Sequence, residues 1–319
     1  MKVLVTGGAG YIGSHVVLHL CDKGYDVVVL DDLCMGSIEA VDDRAFFIEG
    51  SILNSDDLVS SLNGVDAVIH LAAFKSAGES MSNPQKYSEN NVIGSQRLLS
   101  VMIENNVKKI IFSSSAAVYG IPEYLPLDEK HPLKPINHYG YTKLQTEKTI
   151  DIYGNEGQIS YANLRYFNAA GYNKLGKIRT KERNPANLIP SVMEVAAGIR
   201  DKLLVFGNDF ETIDGTGVRD YVHVSDLARA HLLALDLISS NNSATINLGS
   251  EKQYSVFQVI KLTEKISGKT IPYEIVERRE GDPDKIYASS DYAKNILNWS
   301  AEESDLRNII ETTLSLIHI

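Results

Sequence analysis

Over the first half of the chain, short apolar runs alternate with longer segments in which apolar positions recur at helical spacing. Lys2–Thr6, Asp26–Leu30, Phe46–Glu49, Asp66–Ala72 and Lys109–Ser114 read as strands. Ile12–Lys23, Asp56–Leu62, Tyr87–Asn105 and His138–Ile150 read as helices. The strands are almost continuously apolar, as in Val3-Leu4-Val5 and Ile110-Ile111-Phe112, which is the pattern of strands buried on both faces. Strand and helix in alternation, joined by right-handed crossovers, predict an α/β protein with a doubly wound parallel sheet of the Rossmann type. After about Phe167 the pattern changes. Asn173–Asn184 and Gly207–Gly217 are polar and read as loops, Asp226–Ser239 is again an amphipathic helix, and Ala244–Leu248 is a strand. The rest mixes short strands and helices. A smaller, discontinuous C-terminal α/β lobe is therefore expected: residues 1–170 plus about 224–248 form the sheet domain, and about 171–223 with 249–319 form the lobe. The lobe should sit at the C-terminal edge of the sheet, where open α/β sheets bind ligands.

Composition narrows this picture. The 319 residues are 44% hydrophobic and 23% charged, ordinary for a globular domain with a real core. A net charge of −10 repels phosphates overall, so neither nucleic acid nor a membrane is an expected partner and any phosphate site must be local. Cys21 and Cys34 cannot build a disulfide framework, which points to a reducing compartment. Met1-Lys2 runs straight into the first strand, and no apolar run approaches the roughly 20 residues of a membrane helix. A soluble cytoplasmic protein is expected, and no metal is.

The first strand ends in Gly7-Gly8-Ala9-Gly10-Tyr11-Ile12-Gly13 and a helix follows. Glycines at this spacing give a tight turn, close approach of backbone to a pyrophosphate, and close packing of helix on strand. The helix N-terminus supplies free amides and the positive end of its dipole. A turn that merely needs glycines is the plainer alternative, but Asp31 closes the second strand, where an acid meets the adenine ribose hydroxyls. With Asp31-Asp32-Leu33 there and no Arg or Lys beside them, a 2′-phosphate would be repelled, so NAD is predicted rather than NADP.

Tyr139-x-x-x-Lys143 lies in a predicted helix, which puts both side chains on one face about 5–6 Å apart at their β-carbons. Lowering a phenol from about 10 to about 7 takes about 4 kcal/mol, and one cation at 4 Å with an effective dielectric near 20 supplies about that. With 16 tyrosines, roughly one such pair is expected by chance, so context must carry it. The context is Ser113-Ser114-Ser115 at the end of the fifth strand, where a hydroxyl can meet a substrate hydroxyl; a solvated strand end is the alternative.

Together these features resemble the extended short-chain dehydrogenase/reductase superfamily and, within it, the UDP-glucose 4-epimerases. The similar segments run along almost the whole chain: VLVTGGAGYIGSH, VIHLAAFKSAGES, NNVIGS, FSSSAAVYG, YGYTK, LRYFNAAG, FGNDFETIDGTGVRDYVHVSDLA and RREGDP. The resemblance implies an isomerase of galactose metabolism that interconverts UDP-glucose and UDP-galactose. Tightly bound NAD takes up the hydride of carbon 4 and returns it, through a 4-keto sugar. It makes Ser115, Tyr139 and Lys143 catalytic, with Ser115 bonding the 4-oxygen and Lys143 also holding the nicotinamide ribose. It gives Gly7, Gly10, Tyr11, Ile12, Gly13, Asp31, Ser51, Ile52, Ala72, Lys75, Asn91, Tyr139, Lys143 and Tyr166 to the cofactor. Ser115, Asn168, Asn187, Arg219, Arg279 and Asp282 go to the UDP-hexose, with the two arginines clamping the diphosphate. Surface ion pairs, Arg219 with Asp220 and Arg279 with Glu280 or Asp282, are the plainer readings of those arginines. The resemblance also implies a homodimer, with the helices after Asn90 and around Tyr139 forming a four-helix interface.

Two positions depart from the family's usual pattern. Ser51 stands where an acid usually meets the adenine amine, and a hydroxyl can accept that bond as well. Ile286 stands at the position that gates N-acetyl sugars, and its bulk favours plain glucose and galactose. Three other activities compete. A sugar-nucleotide 4,6-dehydratase needs an acid–base pair in a Thr-Asp-Glu run after the fifth strand, where this chain has Ser115-Ala116-Ala117. A 4-epimerase of UDP-N-acetylhexosamines or UDP-glucuronate differs only in its sugar pocket. A non-catalytic NAD-sensing scaffold has no need of all three of Ser115, Tyr139 and Lys143.

Overall fold

A computed structural model describes residues 1–178, 180–181, 187–279 and 281–317. The N-terminal half runs β1 (Lys2–Thr6), α1 (Tyr11–Asp22), β2 (Asp26–Asp31), β3 (Phe46–Glu49), α2 (Ser55–Ser61) and β4 (Ala67–His70). It continues with α3 (Ala77–Ser82), α4 (Pro84–Tyr87), α5 (Gly94–Glu104), β5 (Lys109–Ser115), α6 (His138–Asn155) and β6 (Ser160–Tyr166). Then follow β7 (Asn168–Ala170), α7 (Leu188–Ala196), β8 (Leu203–Phe206), β9 (Val218–Arg219), β10 (Tyr221–His223), α8 (Val224–Ser239) and β11 (Ala244–Leu248). The chain ends with β12 (Tyr254–Ser255), α9 (Val256–Ser267), β13 (Tyr273–Val276), β14 (Lys285–Ile286), α10 (Asp291–Leu297) and α11 (Leu306–Leu316).

The main sheet has seven parallel strands in the order β11-β6-β5-β4-β1-β2-β3. The order reverses at β1, whose neighbours are β2 and β4, so the crevice beyond its C-terminal end is the expected ligand position. Successive residues of a strand point to opposite faces, and this is why the strands are apolar throughout. Val3 and Val5 join one buried cluster with Val16, Val17 and Leu20 of α1 and Leu227 and Ala230 of α8. Leu4 joins the other, with Leu98 and Met102 of α5 and Ile150 of α6.

A third cluster lies outside the sheet. It is built by Ile189, Val192 and Met193 of α7, Leu203 and Val205 of β8, Val259 and Ile260 of α9, and Ile309 and Ile310 of α11. Segments on either side of α8 and β11 thus share one core, as a discontinuous lobe requires. Ala293, Leu297 and Trp299 join the sheet's cluster instead. The Trp299 indole N–H donates to the Asp226 carbonyl at 2.9 Å, and the Asp226 carboxylate accepts from the backbone N–H of Glu303 and the Ser304 hydroxyl. Residues 288–304 are thereby tied to α8.

Two elements differ from expectation. The helix expected over Tyr87–Asn105 is interrupted by a π-helical turn, Ser88–Ile93, between α4 and α5. Strand β6 carries no clean apolar run because Asn163 and Arg165 sit in it. Both are buried: the Asn163 Nδ2 donates to Asp151 and Thr245 while its Oδ1 has no partner, and Arg165 is paired with Glu147. The polar segment expected over Asn173–Asn184 is irregular where it is described; Arg179 and residues 182–184 lie outside the described residues.

Candidate active site

Beyond β1 the backbone turns through Gly7 with φ of +72°, and a β-carbon there would meet the Ala72 amide nitrogen at 2.6 Å. A β-carbon on Gly13 would lie 2.1 Å from the Gly7 carbonyl oxygen, so α1 can press onto the turn only without one. Gly10 caps α1 and brings no side chain to its first amides, which leaves those donors to a ligand. The Asp31 carboxylate is 8% exposed. It accepts from the Ala9 amide at 3.0 Å and the Leu33 amide at 2.9 Å, which ties the turn to the end of β2. Burial raises its pKa and these amides act in the opposite direction. This is a cradle of backbone amides closed by an acid, and it fits a dinucleotide.

The rim of the cradle is made by the other predicted cofactor residues. The Ser51 amide donates to Asp57 at 2.9 Å and the Ser51 hydroxyl accepts from the Leu53 amide at 3.2 Å. Ile52 is buried and fills the space over Gly94. Ala72 follows β4 beside Gly7. Tyr11 donates its hydroxyl to the Gly171 carbonyl at 2.5 Å, and the Lys75 ammonium lies 5.9 Å from its ring centre. Asn91, in the π-helical turn, has its amide fully engaged. Its Oδ1 accepts from the Phe74 and Asn90 nitrogens, and its Nδ2 donates to the Phe74 carbonyl at 2.9 Å and the Thr142 hydroxyl at 3.2 Å. It therefore clips the loop that carries Lys75 to α6.

The three serines at the end of β5 each have a separate task. Ser115 caps the next turn, accepting from the Ala117 amide at 3.2 Å, and hydrogen-bonds the Tyr139 phenol. The Ser113 carbonyl accepts from the Lys143 ammonium at 2.6 Å, and its hydroxyl shares a hydrogen bond with Tyr166. The Ser114 hydroxyl donates to Glu147. Tyr139, Lys143 and Glu147 are successive turns of α6, so sequence spacing and strand order together assemble the group. Lys143 is 3% exposed, and burial lowers its pKa to about 7. Burial raises the Tyr139 phenol, and the Ser115 bond opposes that. His70, below them, is buried between Thr6 and Ser95 and held neutral by burial at about 3.

The expected substrate residues lie toward the lobe. Arg219 donates to the Val218 and Pro283 carbonyls at 2.9 Å each and to Asp282 at 3.0 Å. Its sequence neighbour Asp220 is instead buried, accepting from the amides of Ser250, Glu251 and Ala288. The Arg279 guanidinium carbon lies 3.8 Å from the centre of the Phe206 ring. Arg279 and Asp282 line a cleft of about 730 Å³ between residues 121–125 and 278–285. That cleft does not include Ser115 or Tyr139 and so does not by itself mark the chemistry. Asn168 begins β7 and donates its backbone N–H to the Asp220 carbonyl, and Asn187 is exposed just before α7 with no side-chain bond to the helix's first amides.

Residues 3–249 match the model of the NAD dependent epimerase/dehydratase family. The chain belongs to that family. It is 45% identical to UDP-glucose 4-epimerase of Halalkalibacterium halodurans, over 98% of this chain and 94% of that one. Among solved structures it is similar to UDP-glucose 4-epimerase from Brucella ovis in complex with NAD, with a TM-score of 0.96 and 41% identity over 99% of this chain and 98% of that one. It is likewise similar to the Bifidobacterium longum enzyme in complex with NAD+ and UDP, with a TM-score of 0.94 and 38% identity over 99% and 98%.

In this member of the epimerase/dehydratase family, sequence reasoning passed over Glu147, Arg165 and His70. Glu147 extends the Tyr139–Lys143 spacing by one more turn, a signal present in the sequence. Arg165 and His70 gave none, because their partners are distant in sequence and are brought to them by helices packed on the sheet and, for Thr6 and His70, by strand pairing. Among the described residues no group of three or more His, Cys, Asp or Glu side chains is placed to hold a metal ion. Among the described residues no helix is long and apolar enough to cross a membrane.

Proposed function

We propose that this chain is a UDP-glucose 4-epimerase, an isomerase that interconverts UDP-glucose and UDP-galactose. The observation that carries the reading is Ser115, Tyr139 and Lys143 meeting at the end of β5, beside a glycine turn closed by Asp31. NAD, when bound, supplies a reversible two-electron oxidation at carbon 4. Gly7, Gly10, Tyr11, Ile12 and Gly13 would hold its diphosphate, Asp31 its adenine ribose, Ser51 and Ile52 its adenine. Ala72, Lys75, Tyr166 and Lys143 would line its nicotinamide half, and Asn91 supports that lining through the loop it clips.

Tyr139 takes the proton of the 4-hydroxyl as the carbon is oxidised and gives it back on reduction. Ser115 bonds the same oxygen and keeps it within reach. Lys143 holds positive charge near the phenol, which favours its deprotonated form. Arg219 and Arg279 grip the diphosphate, with Asp282 orienting Arg219, and Asn168 and Asn187 contact the nucleotide or sugar. Gripping the nucleotide and leaving the hexose loosely held lets the 4-keto sugar turn over and present its other face. Ala116 and Ala117 supply no acid–base pair, which speaks for epimerisation over dehydration.

In this reading residues 1–170 with 224–248 hold NAD, and 171–223 with 249–319 hold the UDP-sugar. The separate core of α7, β8, α9 and α11 supports the second unit, although Ala293, Leu297 and Trp299 pack on the sheet's core. A homodimer through α5 and α6 is part of the same proposal. It is supported by Ile93, Tyr141 and Ile152, apolar side chains 48%, 48% and 58% exposed on that stretch. A cytoplasmic location suits the unpaired Cys21 and Cys34.

The test is incubation with UDP-galactose and, separately, UDP-N-acetylgalactosamine, without added NAD. Conversion of the first and slow conversion of the second is expected, because partly buried Ile286 stands where the bulkier sugar would have to fit. No conversion of either, with NAD shown to be bound, sinks the proposal.

A further inference from the structure

Glu147 lies one helical turn beyond Lys143 and is 1% exposed. Its carboxylate accepts from Arg165 twice, at 2.5 Å and 2.8 Å, and from the Ser114 hydroxyl. Arg165, 5% exposed, also donates to the Tyr119 hydroxyl at 3.1 Å. Two consecutive turns of α6 are thus pinned to two consecutive residues of β5: Lys143 to the Ser113 carbonyl, Glu147 to the Ser114 hydroxyl. The next residue of that strand is Ser115. Around the Lys143 ammonium the titratable and charged groups are Tyr139 and Glu147 on α6, His70 on β4, and Tyr166 with Arg165 on β6. His70 is neutral, both phenols are raised by burial, and Arg165 is cationic. Among the described residues packed there, Glu147 is the anion that favours the charged form of Lys143.

We propose that Glu147 is a positioning residue for the epimerisation: held by Arg165 and Ser114, it fixes the turn of α6 that carries Lys143 against β5 and keeps that lysine charged. This rests on the reaction proposed above. Side chains four apart on a helix lie about 5–6 Å apart at their β-carbons. A carboxylate at about 6 Å with an effective dielectric near 20 raises an ammonium by about two units; the Arg165 cation cancels part of that in the wild type, which leaves about one. If the working form needs a cationic lysine, activity falls as pH rises through the lysine's pKa. Loss of the anion therefore moves the alkaline limb of the kcat profile downward.

The experiment compares wild type, Glu147→Gln and Glu147→Asp as purified holoenzymes. It records the pH dependence of kcat for UDP-galactose and, independently of activity, the titration of Lys143 by its 13Cε resonance, assigned through Lys143→Met. Expected for Glu147→Gln, which leaves the Arg165 cation in place, is a downward move of about two pH units in both. Activity on the alkaline side then falls about a hundredfold, while KM changes little. Glu147→Asp keeps the charge and should stay near wild type. If the unpaired Arg165 prevents Glu147→Gln from folding, Glu147→Gln combined with Arg165→Met should fold and show a smaller move in the same direction. A folded Gln variant, single or double, whose lysine titration and kcat limb stay at wild-type values overturns the proposal and leaves Glu147 as packing between α6 and β6. A wild-type protein that converts no UDP-sugar, with the lysine shift still seen in Glu147→Gln, sinks the epimerase reading and leaves the clamp standing.

Discussion

Tyr139 and Lys143 show what a single pair of side chains can and cannot do. Spacing alone assigns the lysine the whole task of lowering the phenol. In the folded chain its ammonium lies 5.9 Å from the ring centre and is bonded to the Ser113 carbonyl. At that distance a full cation contributes about 3 kcal/mol, roughly two pKa units. With the lysine's own pKa near 7, the contribution is smaller at neutral pH. Burial works against the phenolate as well. The phenol therefore stays protonated until more positive charge enters the site. Stripping NAD from the holoenzyme should move the Tyr139 titration upward, read as the absorbance difference between wild type and Tyr139→Phe. Equal titrations with and without NAD would contradict this. Tyr139→Phe itself should lower kcat for UDP-galactose by about 10²–10⁴-fold with the fold retained; unchanged turnover would remove the phenol from the mechanism.

The elements place these residues through close contacts that small changes disturb. Gly13→Ala puts a methyl group 2.1 Å from the Gly7 carbonyl oxygen, so α1 must lift from the turn. The variant should be purified with little bound nicotinamide and unfold at a lower urea concentration. Retention of wild-type NAD content, measured after heat release, would show that the turn tolerates the strain. The π-helical turn has a similar office, since it aims Asn91 at the Phe74 backbone and at Thr142. Asn91→Ala leaves the partly buried Phe74 amide and carbonyl without that partner and should cost about 1–2 kcal/mol. It should also raise protease sensitivity in the Lys75 loop, compared with wild type by limited digestion. Strand β6 shows why a pattern reader misses an element. Its Arg165 and Asn163 look like surface residues in sequence, and only partners brought by the fold, Glu147 for one and Asp151 with Thr245 for the other, make a strand interior of them.

At the scale of the whole molecule, histidine burial sets the response to acid. His15, His70, His223 and His231 are at most 1% exposed, and burial lowers their pKa values to about 3, 3, 4 and 4 from 6.5. The folded state keeps them neutral while the unfolded chain takes up protons below pH 6.5. Their contribution to stability is thus present above 6.5 and lost progressively as pH falls toward about 4. Asp31 and Asp220, raised by burial, act in the opposite direction, favouring the folded state as pH falls toward and through their own titration range. A loss of several kcal/mol between pH 7 and pH 5 is expected from urea titrations, on the order of 1.4 kcal/mol per pH unit for each histidine. A flat profile would mean these rings gain protons without unfolding. The dimer is tested at the same scale: twice 35.2 kDa is expected by light scattering, and Ile152→Glu should yield monomer. A monomeric wild type would contradict it.

Local rules in the sequence determined the glycine turn, the acid at the end of β2, the doubly buried strands and the helical spacing of Tyr139 and Lys143. Each depends on neighbours a few residues away or on a repeat of two or 3.6 residues. The tertiary structure decided which of the three serines does what, because Ser113, Ser114 and Ser115 differ only in the turn of α6 that meets them. It also decided that Arg219 pairs with Asp282, 63 residues on, rather than with adjacent Asp220, whose carboxylate is consumed by backbone amides from β11's exit and from Ala288. Partners drawn from distant segments are fixed by strand order and packing, and no periodicity along the chain encodes them.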